Sequence, residues 1–181
     1  NSLINMLELS KKNGAKRFIF SSSSSVYGNP KYTPIDEKHS TNPLSPYALH
    51  KLIGEQYCKL YSEVYNLDTV CLRYFNAYGH RMPNKGAYRS VISIFNEQHN
   101  KKQPLNIVND GEQRRDYVHV SDIVNANILC ANSTKKLNGD IFNVGTGKSY
   151  SVNEVADMFG GEKKYGEKRI EPKNSIADIS K

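Results

Sequence analysis

The chain has 181 residues, enough for one domain with a substantial core, and its 38% hydrophobic and 24% charged residues are typical of a soluble, folded protein. No apolar run approaches the ~18 residues of a membrane-spanning helix, and no signal peptide is visible at the start. The net charge of +7 comes from scattered basic residues without a DNA- or RNA-binding motif. We therefore favour attraction of an anionic small substrate over nucleic-acid binding, with a merely basic surface as the other alternative.

The three cysteines, Cys58, Cys71 and Cys130, are scattered through apolar surroundings. No Cys-x-x-Cys pair or Cys/His cluster accompanies them, so the sequence predicts neither a metal site nor a disulfide framework. We interpret them as small buried hydrophobic residues, which fits a reducing cytoplasm.

Helix-like and strand-like segments alternate along the chain, a pattern typical of an α/β fold with parallel strands. In chain order, the predicted elements are a helix over 2–13, a strand over 17–22, a helix over 47–65, a strand over 69–74, a helix over 91–100, a strand over 105–108, a helix over 121–131, a strand over 141–144 and a helix over 151–159. A proline-rich loop over 28–46 separates the first strand from the second helix.

Tyr47 and Lys51 stand four residues apart at the head of the second predicted helix. Residues i and i+4 share one helix face, and an ammonium beside a phenol favours the phenolate and lowers its pKa from about 10. Such a phenolate is a base usable near neutral pH. Tyr-x-x-x-Lys also occurs by chance in helices. A hydroxyl from the run Ser21–Ser25 could hold or relay the proton, although five serines are otherwise read as a flexible loop.

Further motifs accompany this pair in a fixed order. They are Arg17-Phe18-Ile19-Phe20 followed by Ser21–Gly28, then Tyr47-x-x-x-Lys51, then Leu72-Arg73-Tyr74-Phe75-Asn76-Ala77-Tyr78-Gly79, and then Arg115-Asp116-Tyr117-Val118-His119-Val120. This ordered set closely resembles the extended short-chain dehydrogenase/reductase family and, within it, the nucleotide-sugar 4-epimerases. The resemblance covers essentially the whole chain.

The resemblance implies a fold of class α/β, the later part of a Rossmann-like parallel sheet plus a smaller C-terminal substrate-binding α/β portion. Residues 1–80 would form the second half of the dinucleotide-binding domain. Residues 81–181 would mainly bind substrate, with 115–144 returning to the core sheet. By the same resemblance, helices 2–13 and 47–65 would form a four-helix bundle across a homodimer axis, which their apolar faces permit.

A glycine-rich turn is missing from its expected place. Dinucleotide-binding folds open with a strand, such a turn and a helix, because backbone amides must approach the pyrophosphate. Gly145-Thr146-Gly147 lies late in the chain and lacks the third glycine, so we interpret it as a loop. We therefore expect this sequence to be an internal fragment without the N-terminal glycine-rich half.

The resemblance also implies an activity. The protein would be an NAD-dependent epimerase that inverts the C4 hydroxyl of a UDP-hexose or UDP-N-acetylhexosamine through a 4-keto intermediate. Tyr47 would take the proton from the sugar 4-hydroxyl, and Ser23 would hydrogen-bond the same oxygen. Lys51 would bind the nicotinamide ribose hydroxyls and stabilise the phenolate. The other residues implied on the cofactor side are Ser21, Tyr74 and Phe75, and for the last two an ordinary strand-end core position is an equal alternative.

A second set of residues would hold the UDP-sugar. Asn76 and Arg115 resemble the residues that bind the diphosphate, and an Arg fork suits phosphate oxygens. The backbone at Ser90 and Val91 would cradle the nucleotide, and Asn106 lies where the uridine stacks.

The C-terminal segment departs from the family pattern. Arg169 stands one place off, and Glu171 replaces an Asp, which leaves their contacts with the diphosphate and the ribose open. Ser175 matches a position where a large Tyr narrows the pocket in glucose-specific enzymes. A serine there leaves room for an N-acetyl group.

Ser24 and Ser25 separate the chain from two other branches of the family. The dehydratases carry Thr-Asp-Glu in place of Ser23-Ser24-Ser25, and the decarboxylases usually carry Glu in place of Ser25. Without these carboxylates there is no acid or base for elimination, so epimerisation is preferred. The remaining alternatives are another branch, such as a reductase or decarboxylase, and a non-catalytic nucleotide-binding relative. The joint presence of Ser23, Tyr47 and Lys51 argues against the latter.

Overall fold

The computed structural model describes residues 2–83, 86, 89–167 and 172–181. The helices are α1 (Ser2–Lys12), α2 (Pro46–Tyr65), α3 (Val91–Asn100), α4 (Val120–Asn132) and α5 (Val152–Phe159). The strands are β1 (Phe18–Ser23), β2 (Thr69–Tyr74), β3 (Asn76–Tyr78), β4 (Leu105–Ile107), β5 (Arg114–Arg115), β6 (Tyr117–His119), β7 (Asp140–Val144), β8 (Tyr150–Ser151), β9 (Lys163–Tyr165) and β10 (Asn174–Ser175). A 3₁₀ helix, Ser24–Tyr27, follows β1.

The main sheet contains three strands in the order β1-β2-β7, all parallel. The middle strand β2 is buried from Thr69 to Arg73, as expected for a strand covered on both faces. Ser23 pairs with Tyr74 at the carboxyl ends of β1 and β2. The α/β fold with parallel strands is therefore confirmed, and its strand ends place Ser23 and Tyr74 side by side.

Helix α2 lies directly on β1. Its start is fixed by Ser45, whose hydroxyl accepts the Ala48 N–H at 3.2 Å, and by Pro46 in the first turn. It ends at Asn66, which adopts a left-handed conformation with φ of 55°. A Cβ at Gly54 would lie 2.3 Å from a ring carbon of Phe20, so glycine is needed for this close approach.

The second half of the chain builds a smaller group of elements with its own core. α3 and α5 pack on β4, which pairs with β9, around the buried side chains of Phe95, Leu105, Ile107, Val155 and Ala156. β5 pairs with β8 and β10, and β6 pairs with β3. These short pairings connect the second half to the end of β2 and bring Arg115 and Ser175 opposite each other.

Two expectations about sequence composition have definite outcomes. Within the described residues no helix combines the length and the apolar composition needed to cross a membrane. Cys58 and Cys71 are buried, as interpreted, but Cys130 is only partly buried. It belongs to α4, in which no residue is fully buried.

Candidate active site

A cavity of about 420 Å³ opens at the carboxyl ends of β1 and β2. This is where open α/β sheets place their ligands, and the volume is within the ~300–1,000 Å³ of small-molecule sites. The predicted site residues that line it are Ser23, Tyr47, Tyr74, Phe75, Asn76, Arg115 and Ser175. Residues far apart in the sequence are thus brought to one place.

Tyr47 and Lys51 face the same way from α2. The Lys51 Nζ lies 5.5 Å from the centre of the Tyr47 ring and donates a hydrogen bond to the Ser21 carbonyl oxygen at 2.7 Å. Partial burial lowers the pKa of Lys51 from its usual value. Lys51 and Ser21 are not among the described residues that line the cavity. Lys51 therefore lies beside Tyr47, which is 45% exposed.

The serine run has regular secondary structure, so the alternative of a flexible loop is wrong. Ser21 to Ser23 complete β1, and Ser24 and Ser25 begin the 3₁₀ helix. The Ser23 Oγ accepts the Ser25 N–H at 3.2 Å and so fixes the start of that helix. The Ser21 Oγ lies 3.3 Å from the Tyr74 Oη.

The other two phenols at the cavity have different environments. Burial raises the pKa of Tyr27 to about 12, and its hydroxyl donates to the Asn143 Oδ1 at 2.7 Å. Tyr27 therefore stays protonated near neutral pH. The Tyr74 Oη accepts the Asn127 Nδ2–H at 2.8 Å. Tyr47 differs from both, because the Lys51 ammonium lies beside its ring.

Arg115 is the one charged side chain among the described residues that line the cavity. Its Nη1 donates to the Pro172 carbonyl oxygen at 2.7 Å, which fixes the guanidinium at the wall. Nearby, the Asn76 Nδ2 donates to the Asp116 carbonyl oxygen at 3.0 Å. The same described set contains no Asp or Glu. The cavity thus suits an anionic ligand and offers no carboxylate for elimination chemistry.

Three predicted substrate residues lie elsewhere. Ser90 and Val91 form the start of α3, where the Ser90 hydroxyl caps the helix by accepting the Ser93 N–H at 3.2 Å. Asn106 is exposed on β4, and its N–H donates to the Gln98 Oε1 at 3.1 Å. None of the three is among the described residues lining the cavity. Arg169 and Glu171 lie outside the residues that the structure describes.

Asp116 is a residue that the sequence reasoning did not single out. It is fully buried, and its Oδ1 accepts the Thr146 N–H and hydroxyl, each at 2.8 Å. Its Oδ2 accepts the N–H groups of Gly147 at 3.0 Å and Ala177 at 3.1 Å. Asp116 therefore joins the loop after β7 to the segment that carries Ser175. Its position next to Arg115 was the available signal.

Residues 1–145 match the family described as the NAD dependent epimerase/dehydratase family. The chain belongs to this family. Its relatives include a putative UDP-glucose 4-epimerase of Methanocaldococcus jannaschii, 45% identical over 88% of this chain and 51% of that protein. The chain therefore spans about half the length of this curated relative.

Two solved structures of epimerases are also similar. One is a UDP-N-acetylglucosamine 4-epimerase from Methanobrevibacter ruminantium M1 in complex with UDP-N-acetylmuramic acid, with 37% identity and a TM-score of 0.93 over 98% of this chain and 59% of that one. The other is a UDP-glucose 4-epimerase from Thermotoga maritima with UDP-glucose, with 35% identity and a TM-score of 0.91 over the same shares.

The family description names NAD as the cofactor. In this chain, Lys51 has the hydrogen-bond donors that a ribose of NAD would need. An ammonium has three N–H donors. Within the described residues Lys51 donates one hydrogen bond, to Ser21. Its other donors are available for ligand hydroxyls such as those of a ribose. Tyr47, beside Lys51, lines the cavity.

Proposed function

We propose that the protein containing this chain is an NAD-dependent UDP-sugar 4-epimerase, which inverts the C4 hydroxyl of a UDP-hexose or UDP-N-acetylhexosamine through a 4-keto sugar. The observation that carries the proposal is one cavity lined by Tyr47, Ser23 and Arg115. This reaction needs a base, a hydroxyl that can share its proton and a cation for the diphosphate. Tyr47, Ser23 and Arg115 would supply these groups in that order.

Each residue has a distinct part in the mechanism. The Tyr47 oxygen takes the proton from the sugar 4-hydroxyl, and the Ser23 hydroxyl hydrogen-bonds the same oxygen. The Lys51 ammonium stabilises the negative phenolate by its charge. NAD, held in part by Lys51, would supply the acceptor for the hydride from C4 and the donor for its return to the opposite face. Arg115 binds the diphosphate and so holds the nucleotide in place. The 4-keto sugar meanwhile rotates within the cavity and presents its other face.

The proposal separates epimerisation from elimination. The described lining contains Ser24 and Ser25 and no carboxylate, so it offers no acid–base pair of carboxyl groups to take a proton from C5 and protonate a leaving hydroxyl at C6. Incubating the full polypeptide that contains this chain with UDP-GlcNAc and UDP-Glc should give the C4 epimers with no net change in NAD. A dehydrated product, or no turnover of either sugar, would contradict the proposal.

Ser175 is the proposed determinant of sugar size. It lines the cavity opposite Arg115 in the pairing of β10 with β5, and its small side chain leaves space at this wall. The Ser175→Tyr variant should lose at least tenfold in kcat/KM for UDP-GlcNAc relative to UDP-Glc, because the added ring clashes with an N-acetyl group. Steady-state kinetics of the full polypeptide on both sugars measure this ratio.

Asn174→Tyr is the matched control, since it adds the same ring at the neighbouring exposed position. It should leave the ratio of the two kcat/KM values unchanged. If the wild type accepts only UDP-Glc, or if Ser175→Tyr slows both sugars equally, Ser175 does not select the sugar.

The proposed assembly is a homodimer through α1 and α2. Both helices present large apolar side chains to solvent, with 53% of Met6, 53% of Leu9, 46% of Leu60 and 61% of Val64 exposed. Leu60→Glu combined with Val64→Glu should turn the dimer into a monomer in sedimentation experiments, because burying two unpaired charges is costly. The control Val124→Glu, on the exposed side of α4, should stay dimeric. A dimer that survives the double change would place the interface elsewhere.

The proposed compartment is a reducing cytoplasm. All three cysteines are free thiols in the structure. A hydrogen bond with Cys58 and burial both raise the pKa of the Cys71 thiol. A thiol held protonated in this way is a poor nucleophile, so this pair serves as core rather than as a redox centre.

A further inference from the structure

Three residues of α2 at intervals of four face the strand that carries the serines. They are Tyr47, Lys51 and Glu55, which share one face of the helix. Lys51 donates to the Ser21 carbonyl oxygen at 2.7 Å, and Glu55 accepts the hydroxyl hydrogen of Ser22. Two consecutive residues of β1 are thus held by two successive turns of the helix that carries the proposed base.

Glu55 is held in place by an ion pair beneath the cavity. The Arg73 Nε donates to the Glu55 Oε1 at 2.8 Å, and the Arg73 Nη2 donates to the Oε2 at 2.6 Å. Both side chains are only 3% exposed. Burial alone would lower the pKa of Arg73, but the hydrogen bonds and charge of Glu55 outweigh it and raise that pKa. The fork geometry leaves Glu55 a fixed acceptor for the Ser22 hydroxyl.

The register of the sheet connects this ion pair with the cavity. Ser22 pairs with Arg73, and the next pair along the strands is Ser23 with Tyr74. Glu55 therefore binds both members of the pair that precedes Ser23 and Tyr74, and Ser22 itself also borders the cavity. Because neighbouring residues of a strand point to opposite faces, Ser22 turns toward α2 and can be fixed there without occupying the position of Ser23.

We propose that Glu55 is a positioning residue: through Ser22, it sets the distance between Ser23 on β1 and Tyr47 on α2. This role rests on the proposed function, in which both hydroxyls meet one sugar oxygen. A misplacement of about 1 Å can cost a reaction roughly a hundredfold. Glu55 itself touches the reaction only through Ser22.

The test removes the link and keeps the ion pair. In the full polypeptide, Ser22→Ala should lower kcat for the UDP-sugar at least fivefold with KM within twofold, because Arg115, the proposed diphosphate contact, is not altered. The matched control is Thr69→Val, which removes another buried hydroxyl between the same sheet and helix. Its Oγ1 donates to the Cys58 carbonyl oxygen at 2.7 Å, far along α2 from Tyr47. Thr69→Val should leave kcat within twofold.

A second measurement reports the position of Ser23 without any turnover. The Ser25 amide is bonded to the Ser23 Oγ, so its hydrogen exchange follows that contact. Ser22→Ala should speed exchange of the Ser25 amide at least tenfold, and Thr69→Val should not. Equal exchange in both variants, or a kcat loss in both, would overturn the positioning role. If the wild type has no epimerase activity, the proposed function is wrong. The hydrogen-exchange result would still decide whether Glu55 positions Ser23.

Discussion

Tyr47→Phe should lower epimerase turnover by about a thousandfold or more in the full polypeptide. The change removes one hydroxyl and leaves the ring, so it takes away the base and little else. A positioned acid or base contributes about 10²–10⁴ to a rate, and epimerisation needs this oxygen both to remove and to return the proton. The measurement is kcat on UDP-GlcNAc, together with the dissociation constant of the UDP-sugar, which should change less than about threefold.

Tyr57→Phe is the control for this experiment. Tyr57 belongs to the same helix and packs against the buried cluster around Leu7, away from the cavity. Removing its hydroxyl should leave turnover within about twofold. Full turnover by Tyr47→Phe would remove Tyr47 from the mechanism, and an equal loss in both variants would point to a general weakening of α2.

Asp116→Asn should lower the free energy of unfolding by about 2–4 kcal/mol, because hydrogen bonds to a buried charged group contribute about 1.5–3 kcal/mol each. The carboxylate accepts from two donors on each oxygen. An amide has one acceptor oxygen and one NH₂ group. Whichever way it turns, its NH₂ meets at least one backbone N–H donor, that of Thr146 or those of Gly147 and Ala177. Urea unfolding of the full polypeptide measures the loss.

Asp122→Asn is the matched control, since Asp122 is exposed in the first turn of α4. It should cost no more than about 1 kcal/mol, the usual size of a charge near a helix N-terminus. If Asp116→Asn is as mild as Asp122→Asn, the buried carboxylate does not hold the loop after β7 to the segment that carries Ser175.

The sequence predicts the long elements of this fold well. The helices over 2–13 and 47–65 and the strands over 17–22 and 69–74 appear within one or two residues of their predicted ends. Their apolar periodicity, Ser45 and Pro46 at one helix start and the αL residue at its end are local signals. The family resemblance also implied that Ser23, Tyr47 and Arg115 serve one site, and the cavity brings them together although they lie on β1, α2 and β5.

The pairings between the short strands could not be predicted from the sequence. β5, β8 and β10 have two residues each, and they pair segments that are distant along the chain. No periodicity exists in two residues. For the same reason the sequence did not reveal that Asp116 joins three segments, or that Glu55 contacts Arg73 and Ser22. Glu55 lies four residues after Lys51, and that spacing was the only local hint.

The most direct test of the central claim is a crystal structure of the full polypeptide with NAD and UDP-GlcNAc. The quantity to measure is the distance from the Tyr47 Oη and the Ser23 Oγ to the sugar O4. Our account predicts about 2.6–3.2 Å for both, as proton transfer requires. A sugar O4 more than about 5 Å from the Tyr47 oxygen, with another side chain in contact with it, would contradict the account.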